Sequence, residues 1–114
     1  EVYSDLTKVV DRIYKARENK EAVSIAYHGN VVDLWEKLAE KEIYIDLGSD
    51  QTSLHNPYGG GYYPVGVSFE EANQMMVEMP DAFKMMVHES LCRQVIAINK
   101  LNKRGMYFWD YGKN

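Results

Sequence analysis

The chain has 114 residues, of which 46% are hydrophobic, which indicates one small folded domain and argues against disorder. Its formal net charge of −4 gives no electrostatic reason to expect nucleic acid or an anionic membrane surface as a partner, and no apolar run is long enough to cross a bilayer. A single cysteine favours a reducing, cytoplasmic setting, and the three isolated histidines lack the spacing of a metal site, so no metal is expected.

The first half of the chain predicts two helix–strand units. Ser4 is the expected cap of a first helix, in which the apolar residues between 6 and 14 follow helical spacing. Residues 23–27 form a short, mostly apolar run that is typical of a strand covered on both faces. Asn30 then caps a second helix, and residues 43–47 are the second predicted strand.

The second half predicts two more helices and a last strand. Ser68 and Glu71 form a capping-box pattern, and Pro80 ends one short helix and begins the next. Gly105 ends that long helix, and residues 106–109 read as a third strand. One apolar stripe is predicted along the long helix, at Phe83, Val87, Leu91, Val95, Ile98 and Leu101.

Strands separated by helices favour right-handed crossovers and a parallel sheet. We therefore expect an α/β fold, a partial Rossmann-like three-layer unit with a small three-stranded parallel sheet flanked by helices. Ligands bind such sheets outside the carboxyl ends of the strands, where residues 28–30, 51–64 and 110–112 should converge. The last strand would need cover on both faces, so residues 1–114 are expected to be part of a larger domain.

The stretch at residues 51–64 is the strongest indication of a ligand. Between residues 51 and 69 there is no Asp, Glu, Lys or Arg, although 26% of the chain is charged. Amides, hydroxyls, an imidazole, glycine backbone and tyrosine rings together suit a neutral, ring-bearing or phosphate-bearing molecule. The run Gly59-Gly60-Gly61 lacks the Lys and Ser/Thr of a phosphate-binding P-loop, so by itself it is a weak phosphate signal.

Several side chains have a structural and a functional interpretation. Asn30 either caps its helix or donates its amide to a ligand at the helix N-terminus. Tyr62 and Tyr63 either stack on a heteroaromatic ring or pack as a hydrophobic plug. Cys92 lies among apolar residues of a predicted helix, so a buried, unreactive thiol is expected.

Four stretches of the chain resemble the urocanase (urocanate hydratase) family. The first is Gln51-Thr52-Ser53-Leu54-His55-Asn56-Pro57, followed by Gly60-Gly61-Tyr62-Tyr63-Pro64-Val65. The others are Ser24-Ile25-Ala26-Tyr27-His28-Gly29-Asn30, Glu89-Ser90-Leu91-Cys92-Arg93-Gln94-Val95 and Phe108-Trp109-Asp110-Tyr111-Gly112. They occur in family order and cover nearly all of the chain, which is more specific than any single motif.

The resemblance implies a function in histidine breakdown. Urocanase adds water to urocanate to form imidazolonepropionate, and its tightly bound NAD+ acts as an electrophile, without net hydride transfer. This chain would be part of the family's central Rossmann-like NAD-binding domain. Carried over by motif, the residues that contact NAD+ would be Asn30, Val31, Gln51, Thr52, Ser53, Leu54, His55, Tyr62, Tyr63 and Tyr111.

The chain departs from the family pattern in three places. The glycine-rich turn that grips the pyrophosphate should lie upstream and is absent. The family's active-site cysteine lies downstream and is not Cys92, and Lys113 stands where the family usually has Asn. The isolated chain is therefore expected to be catalytically inert.

Two other classes of function compete with an enzyme part. One is a self-contained module that binds a nucleotide or aromatic metabolite, and the other is an interaction protein that docks a partner through its Gly/Tyr loop. As an enzyme part, the chain would act with NAD+ and urocanate, with a homodimer expected for the parent protein. Strand edges left bare would also favour self-association of the isolated chain.

Overall fold

Helices and short strands alternate along the chain. The computed structural model describes residues 1–50, 57–59 and 62–110. Its strands and helices are β1 (Val2–Tyr3), α1 (Leu6–Glu18), β2 (Ala26–Tyr27), α2 (Val31–Glu40), β3 (Leu47–Asp50), α3 (Phe69–Glu78), α4 (Pro80–Lys103) and β4 (Tyr107–Asp110). A 3-10 turn at Pro57–Gly59 lies between β3 and α3. None of the helices described is both long and apolar enough to cross a membrane.

The strands form two parallel ladders, which confirms the α/β class and the parallel pairing. They do not form the single three-stranded sheet predicted from the sequence. In the described residues, β1 pairs with β2 and β3 pairs with β4. The predicted strand at 23–27 shortens to Ala26–Tyr27, which pairs with Val2 and Tyr3.

The second strand begins later than its apolar run predicts, at Leu47 instead of residue 43. Ile43 is only 2% exposed, and its N–H donates to the carbonyl of Leu38, 3.1 Å away, at the end of α2. The guanidinium of Arg17 donates to the carbonyl of Tyr44. Residues 43 and 44 of the apolar run are therefore bound to the ends of α2 and α1. The β3–β4 ladder starts only after them.

The helix starts largely agree with the sequence. Asn30 caps α2, and Ser68 with Glu71 forms a complete capping box at α3. Pro80 begins α4 directly after the end of α3. The cap of α1 is Asp5 and not Ser4, since an Asp5 carboxylate oxygen accepts from the N–H of Thr7 at 2.9 Å. Ser and Asp are equally good caps, so the sequence could not separate these neighbours.

Two hydrophobic cores share the helix pair α2 and α4. The first core contains Val10, Trp35, Leu38, Ala39, Ile43, Ala97, Leu101 and Met106. The second core contains Val32, Tyr62, Ala72, Phe83 and Val87. The start of each helix lies in the second core and the end of each in the first, so α2 and α4 run in the same direction. Each helix then leads into one strand of the β3–β4 ladder.

The start of α2 lies toward the carboxyl ends of β3 and β4. The end of α2 connects through residues 41–46 to the amino end of β3. Closer to its start, Trp35 packs edge-on against Phe108 of β4, with ring centroids 6.0 Å apart. Gly48 of β3 leaves room for this ring, because a Cβ there would lie 3.1 Å from Trp35. The helix therefore runs back along the strands, as a crossover helix does.

The buried face of α4 differs from the predicted apolar stripe. Its buried residues are Phe83, Val87, Ser90, Gln94, Ala97 and Leu101. Leu91 is half-buried, and Val95 is 55% exposed, so its placement in the stripe is wrong. Repeated steps of four residues drift by about 40° each around an α-helix, whereas alternating steps of four and three stay on one face.

We predict that two identical substitutions on α4 have different costs. Val87→Ala removes buried methyl groups and leaves a cavity, so it should lower the free energy of unfolding by roughly 2 kcal/mol or more. Val95→Ala should change it by less than about 0.5 kcal/mol because the side chain faces solvent. Urea unfolding of the 114-residue chain measures both, and equal losses would contradict the buried face described for α4.

A network of exposed charges joins β1 to α1. Arg12 contacts a carboxylate oxygen of Glu1 at 2.8 Å and one of Glu21 at 3.0 Å. Hydrogen bonds from Arg12 and then Tyr3 lower the pKa of Glu1 from its ordinary 4.5 to about 2. A hydrogen bond from Arg12 also lowers the pKa of Glu21.

This network predicts an acid-dependent loss of stability. A carboxylate with a lowered pKa in the folded state stabilises the fold above its unfolded pKa, and that contribution is lost as the pH falls through the folded value. The free energy of unfolding should therefore drop between about pH 5 and pH 2. Arg12→Met should flatten this dependence, measured by urea unfolding across the range, and an unchanged slope in the variant would count against the network.

Candidate functional site

Asn30 performs two tasks at the start of α2. Its side-chain oxygen accepts from the N–H of Val32 at 2.9 Å, which is the helix cap. Its side-chain nitrogen donates to the carbonyl of Tyr63 at 3.1 Å. The first contact confirms the capping interpretation, and the second joins the helix N-terminus to the segment that follows the glycine-rich stretch. Val31 is half-buried beside it and packs against both cores.

A pocket of about 390 Å³ opens at this point, after the carboxyl end of β2. Glycine at position 29 shapes its floor, because a Cβ there would lie 2.3 Å from the Tyr27 ring. The Tyr27 ring therefore lies over the turn, in the space that a side chain at position 29 would need. The residues around the opening include Tyr27, His28, Asn30, Asp33, Tyr63 and Phe69.

In the part of the chain that the structure describes, the lining of this pocket is polar but carries little charge. Asp33 is a carboxylate in the first turn of α2, and none of the described lining residues is Lys or Arg. Burial, and then the charges of Asp33 and Asp5, raise the pKa of Tyr27. A tyrosine phenol is protonated at neutral pH, so the Tyr27 hydroxyl can donate a hydrogen bond to a ligand. With the amide of Asn30 and N–H groups at the start of α2, this set suits hydroxyl and amide groups and one anionic group on the helix axis.

The two neighbouring tyrosines have different environments. Tyr62 is 5% exposed, lies in the second core, and donates its hydroxyl to the Gln94 side-chain oxygen at 2.9 Å. Tyr63 is 37% exposed, lines the pocket, and packs edge-on against Phe69 with centroids 6.0 Å apart. The plug interpretation therefore fits the Tyr62 ring, whereas the Tyr63 ring is placed beside a pocket.

Sequence reasoning missed two polar residues that support this segment. Ser90 and Gln94 are each 3% exposed on α4. The Ser90 hydroxyl oxygen accepts from the N–H of Val65 at 2.9 Å, and Gln94 binds Tyr62 as described. Their burial could have been predicted from the helix spacing. Alternating steps of four and three residues, starting from Phe83 and Val87, lead next to positions 90 and 94.

The remaining predicted cofactor-binding residues, Gln51, Thr52, Ser53, Leu54, His55 and Tyr111, lie outside the described residues, as does Lys113. The described residues do include the ends of the two strands that precede these predicted residues. Asp50 ends β3 and Asp110 ends β4, and these two residues are direct partners in the parallel ladder. The structure thus brings together two of the predicted strand ends, and separately brings Asn30 to Tyr63.

Two other features lie on α4. Cys92 is exposed, not buried as predicted, and its sulfur lies 3.9 Å from the Nε2 of His88. A larger pocket of about 760 Å³ lies where Tyr58 faces α4 near Met85, and its mostly apolar lining also includes Lys84, His88 and Glu89. Among the described residues no group of three or more His, Cys, Asp or Glu is placed to hold a metal ion. Neither feature brings together the polar groups found at the start of α2.

Comparison with known proteins identifies the family. Residues 1–114 match the family model described as "Urocanase Rossmann-like domain". The chain is 61% identical, over 100% of its length, to a "Probable urocanate hydratase" of Dictyostelium discoideum and 60% identical, over 98%, to one of Caenorhabditis elegans. It is 52% identical, over 98%, to a "Urocanate hydratase" of Homo sapiens. The chain spans 17% of the length of each of these relatives. Together these matches confirm the resemblance seen in the motifs, and the chain belongs to the urocanase family, in its Rossmann-like domain.

Proposed function

We propose that this chain is part of a urocanate hydratase and supplies one wall of its NAD+ site. The whole enzyme would add water to urocanate to form imidazolonepropionate in histidine breakdown. The observation that carries the proposal is the contact of Asn30 with Tyr63, which builds a polar pocket at a helix N-terminus after a parallel strand. The relatives named urocanate hydratase support the same activity.

The described residues fit part of a dinucleotide. The first turn of α2 presents backbone N–H groups that attract a phosphate, and the Asn30 cap fixes their direction. Asp33 and the Tyr27 hydroxyl at the same opening suit ribose hydroxyls. Tyr63 adds an aromatic edge at the pocket. These groups would bind and orient the cofactor.

The chemistry of the reaction would come largely from outside these residues. When bound, the nicotinamide ring supplies an electrophile in this family. The chain's own contribution is to hold the cofactor through Asn30, Val31 and Tyr63, together with the predicted residues at positions 51–55 and 111. Tyr62, which the family resemblance also assigns to the cofactor, is buried in the second core. A cytoplasmic location and a homodimeric parent protein are part of the same proposal.

The isolated chain should not turn over urocanate. It is predicted to bind NAD+ weakly or not at all, because it contributes only some of the cofactor contacts. Titration with NAD+ and an assay of urocanate consumption measure both, with the complete parent protein as the positive control. Turnover by the 114-residue chain alone would contradict the proposal, and tight NAD+ binding by it would favour a self-contained binding module.

Asn30→Asp in the complete protein should separate capping from ligand contact. Asp caps a helix as well as Asn, so stability should change little. The substitution removes the amide donor to Tyr63 and adds a negative charge where the cofactor phosphates are proposed to lie. We expect NAD+ affinity to fall on the order of 10-fold or more, about 1.4 kcal/mol.

The matched control is Asp11→Asn, an exchange between the same two residue types at an exposed position of α1. It should leave NAD+ affinity unchanged, because α1 supplies no proposed cofactor contact. Isothermal titration of the cofactor-stripped protein measures affinity, and thermal unfolding measures stability. Wild-type NAD+ affinity in Asn30→Asp would remove Asn30 from the proposed site.

A further inference from the structure

The segment from Tyr62 to Val65 is held from two helices. Asn30 at the start of α2 donates to the carbonyl of Tyr63 at 3.1 Å. On the other side, α4 accepts the Tyr62 hydroxyl through Gln94 and the Val65 N–H through Ser90, both at 2.9 Å. Three hydrogen bonds within four consecutive residues define the path of this segment.

Burial alternates along this segment. Tyr62 and Pro64 are buried, whereas Tyr63 between them is exposed at the pocket. In an extended chain successive side chains point to opposite sides. Holding Tyr62 inside therefore directs Tyr63 outward, toward Asn30 and the opening.

The two supporting residues on α4 are unusual for a buried helix face. Ser90 and Gln94 occupy consecutive core positions between Val87 and Ala97. A buried polar side chain destabilises a fold unless it is hydrogen-bonded, so apolar residues are the default at such positions. The bonds to Tyr62 and Val65 give a physical reason for polar residues here.

The Ser90 hydroxyl is oriented for its task. It donates its only proton to the carbonyl of Met86, one turn earlier in α4, at 2.8 Å. Its oxygen is then left as an acceptor directed at the N–H of Val65. Because the helix backbone takes the hydroxyl proton, a backbone N–H of the segment, and not a carbonyl, can bind at this position.

We propose that Ser90 and Gln94 are positioning residues for the cofactor, acting through Tyr62–Val65. This inference rests on the proposed function, in which Tyr63 contacts NAD+. Neither residue needs to touch the cofactor, because each acts by fixing the direction of the segment and its distance from α4. A displacement of about 1 Å in a supporting group is enough to weaken a preorganised site.

The test uses the complete parent protein with two substitutions on α4. Gln94→Met keeps the approximate side-chain length but removes the acceptor for Tyr62, and Ser90→Ala removes the acceptor for Val65. Each should weaken NAD+ binding on the order of 10-fold, measured by titration of the cofactor-stripped protein. At saturating NAD+, kcat should return close to the wild-type value, because the chemistry is not altered.

A second readout follows the segment itself and is independent of activity. In Ser90→Ala, hydrogen exchange of the Val65 amide should become faster, since its acceptor is gone. The control Val10→Ala removes buried apolar volume from the first core, on a helix without proposed cofactor contacts. It should lower the melting temperature without changing NAD+ affinity or exchange at Val65.

The outcomes separate this inference from the proposed function. Wild-type protein that binds no NAD+ would contradict the proposed function, and this inference with it. Wild-type protein that binds NAD+, with variants that bind it equally well, would overturn this inference alone. A loss of affinity in Val10→Ala equal to that in Gln94→Met would also overturn it, because the effect would then be general destabilisation. If Ser90→Ala fails to fold, Gln94→Met decides.

Discussion

The packing of α2 against α4 is the contact on which the rest of the structure depends. Each helix places its first half in one hydrophobic core and its second half in the other, so neither core forms without the pair. Val32 of α2 and Val87 of α4 are 0% exposed, and burying such side chains stabilises a fold by about 1.5–3 kcal/mol each. A bidentate pair between Glu36 and Arg93 joins the helices at the surface, with contacts of 2.9 and 2.6 Å. Half-exposed pairs of this kind contribute about 0.2–1 kcal/mol, so burial and not charge holds the helices together.

The same helix pair also determines where the candidate site lies. Because α2 runs back along β3, its N-terminus lies toward the carboxyl ends of the β3–β4 ladder. Asn30 stands at that N-terminus and ties it to Tyr63, while α4 ties the neighbouring residues from the other side. The geometry of the pocket is thus a consequence of core packing. A substitution in the core would reach the pocket only if it moved one helix relative to the other.

The sequence predicted those features that depend on local chemistry. The caps at Asn30 and Ser68 and the helix junction at Pro80 were predictable because each acts on backbone groups a few residues away. Features that depend on distant partners were not predictable. Ile43 is apolar because it packs at the end of α2. In the sequence, an apolar run buried at a helix end looks the same as a buried strand. Ser90 and Gln94 look like surface residues until Tyr62 and Val65 are known to reach them. For the candidate site, this means that Asn30 was predictable, whereas the helical spacing marked the positions of Ser90 and Gln94 but not their partners.

The charges around the pocket indicate how this wall would hold a dinucleotide. Among the described residues, its lining offers the carboxylate of Asp33 and no basic side chain, and Arg93 is paired with Glu36. From these residues, attraction for a phosphate would come from the start of α2, which acts as a fixed partial charge of about +0.5. Such a charge does not titrate, and it acts only on a group placed at the helix axis. Recognition of the proposed dinucleotide would therefore depend on fit and hydrogen bonding more than on net charge.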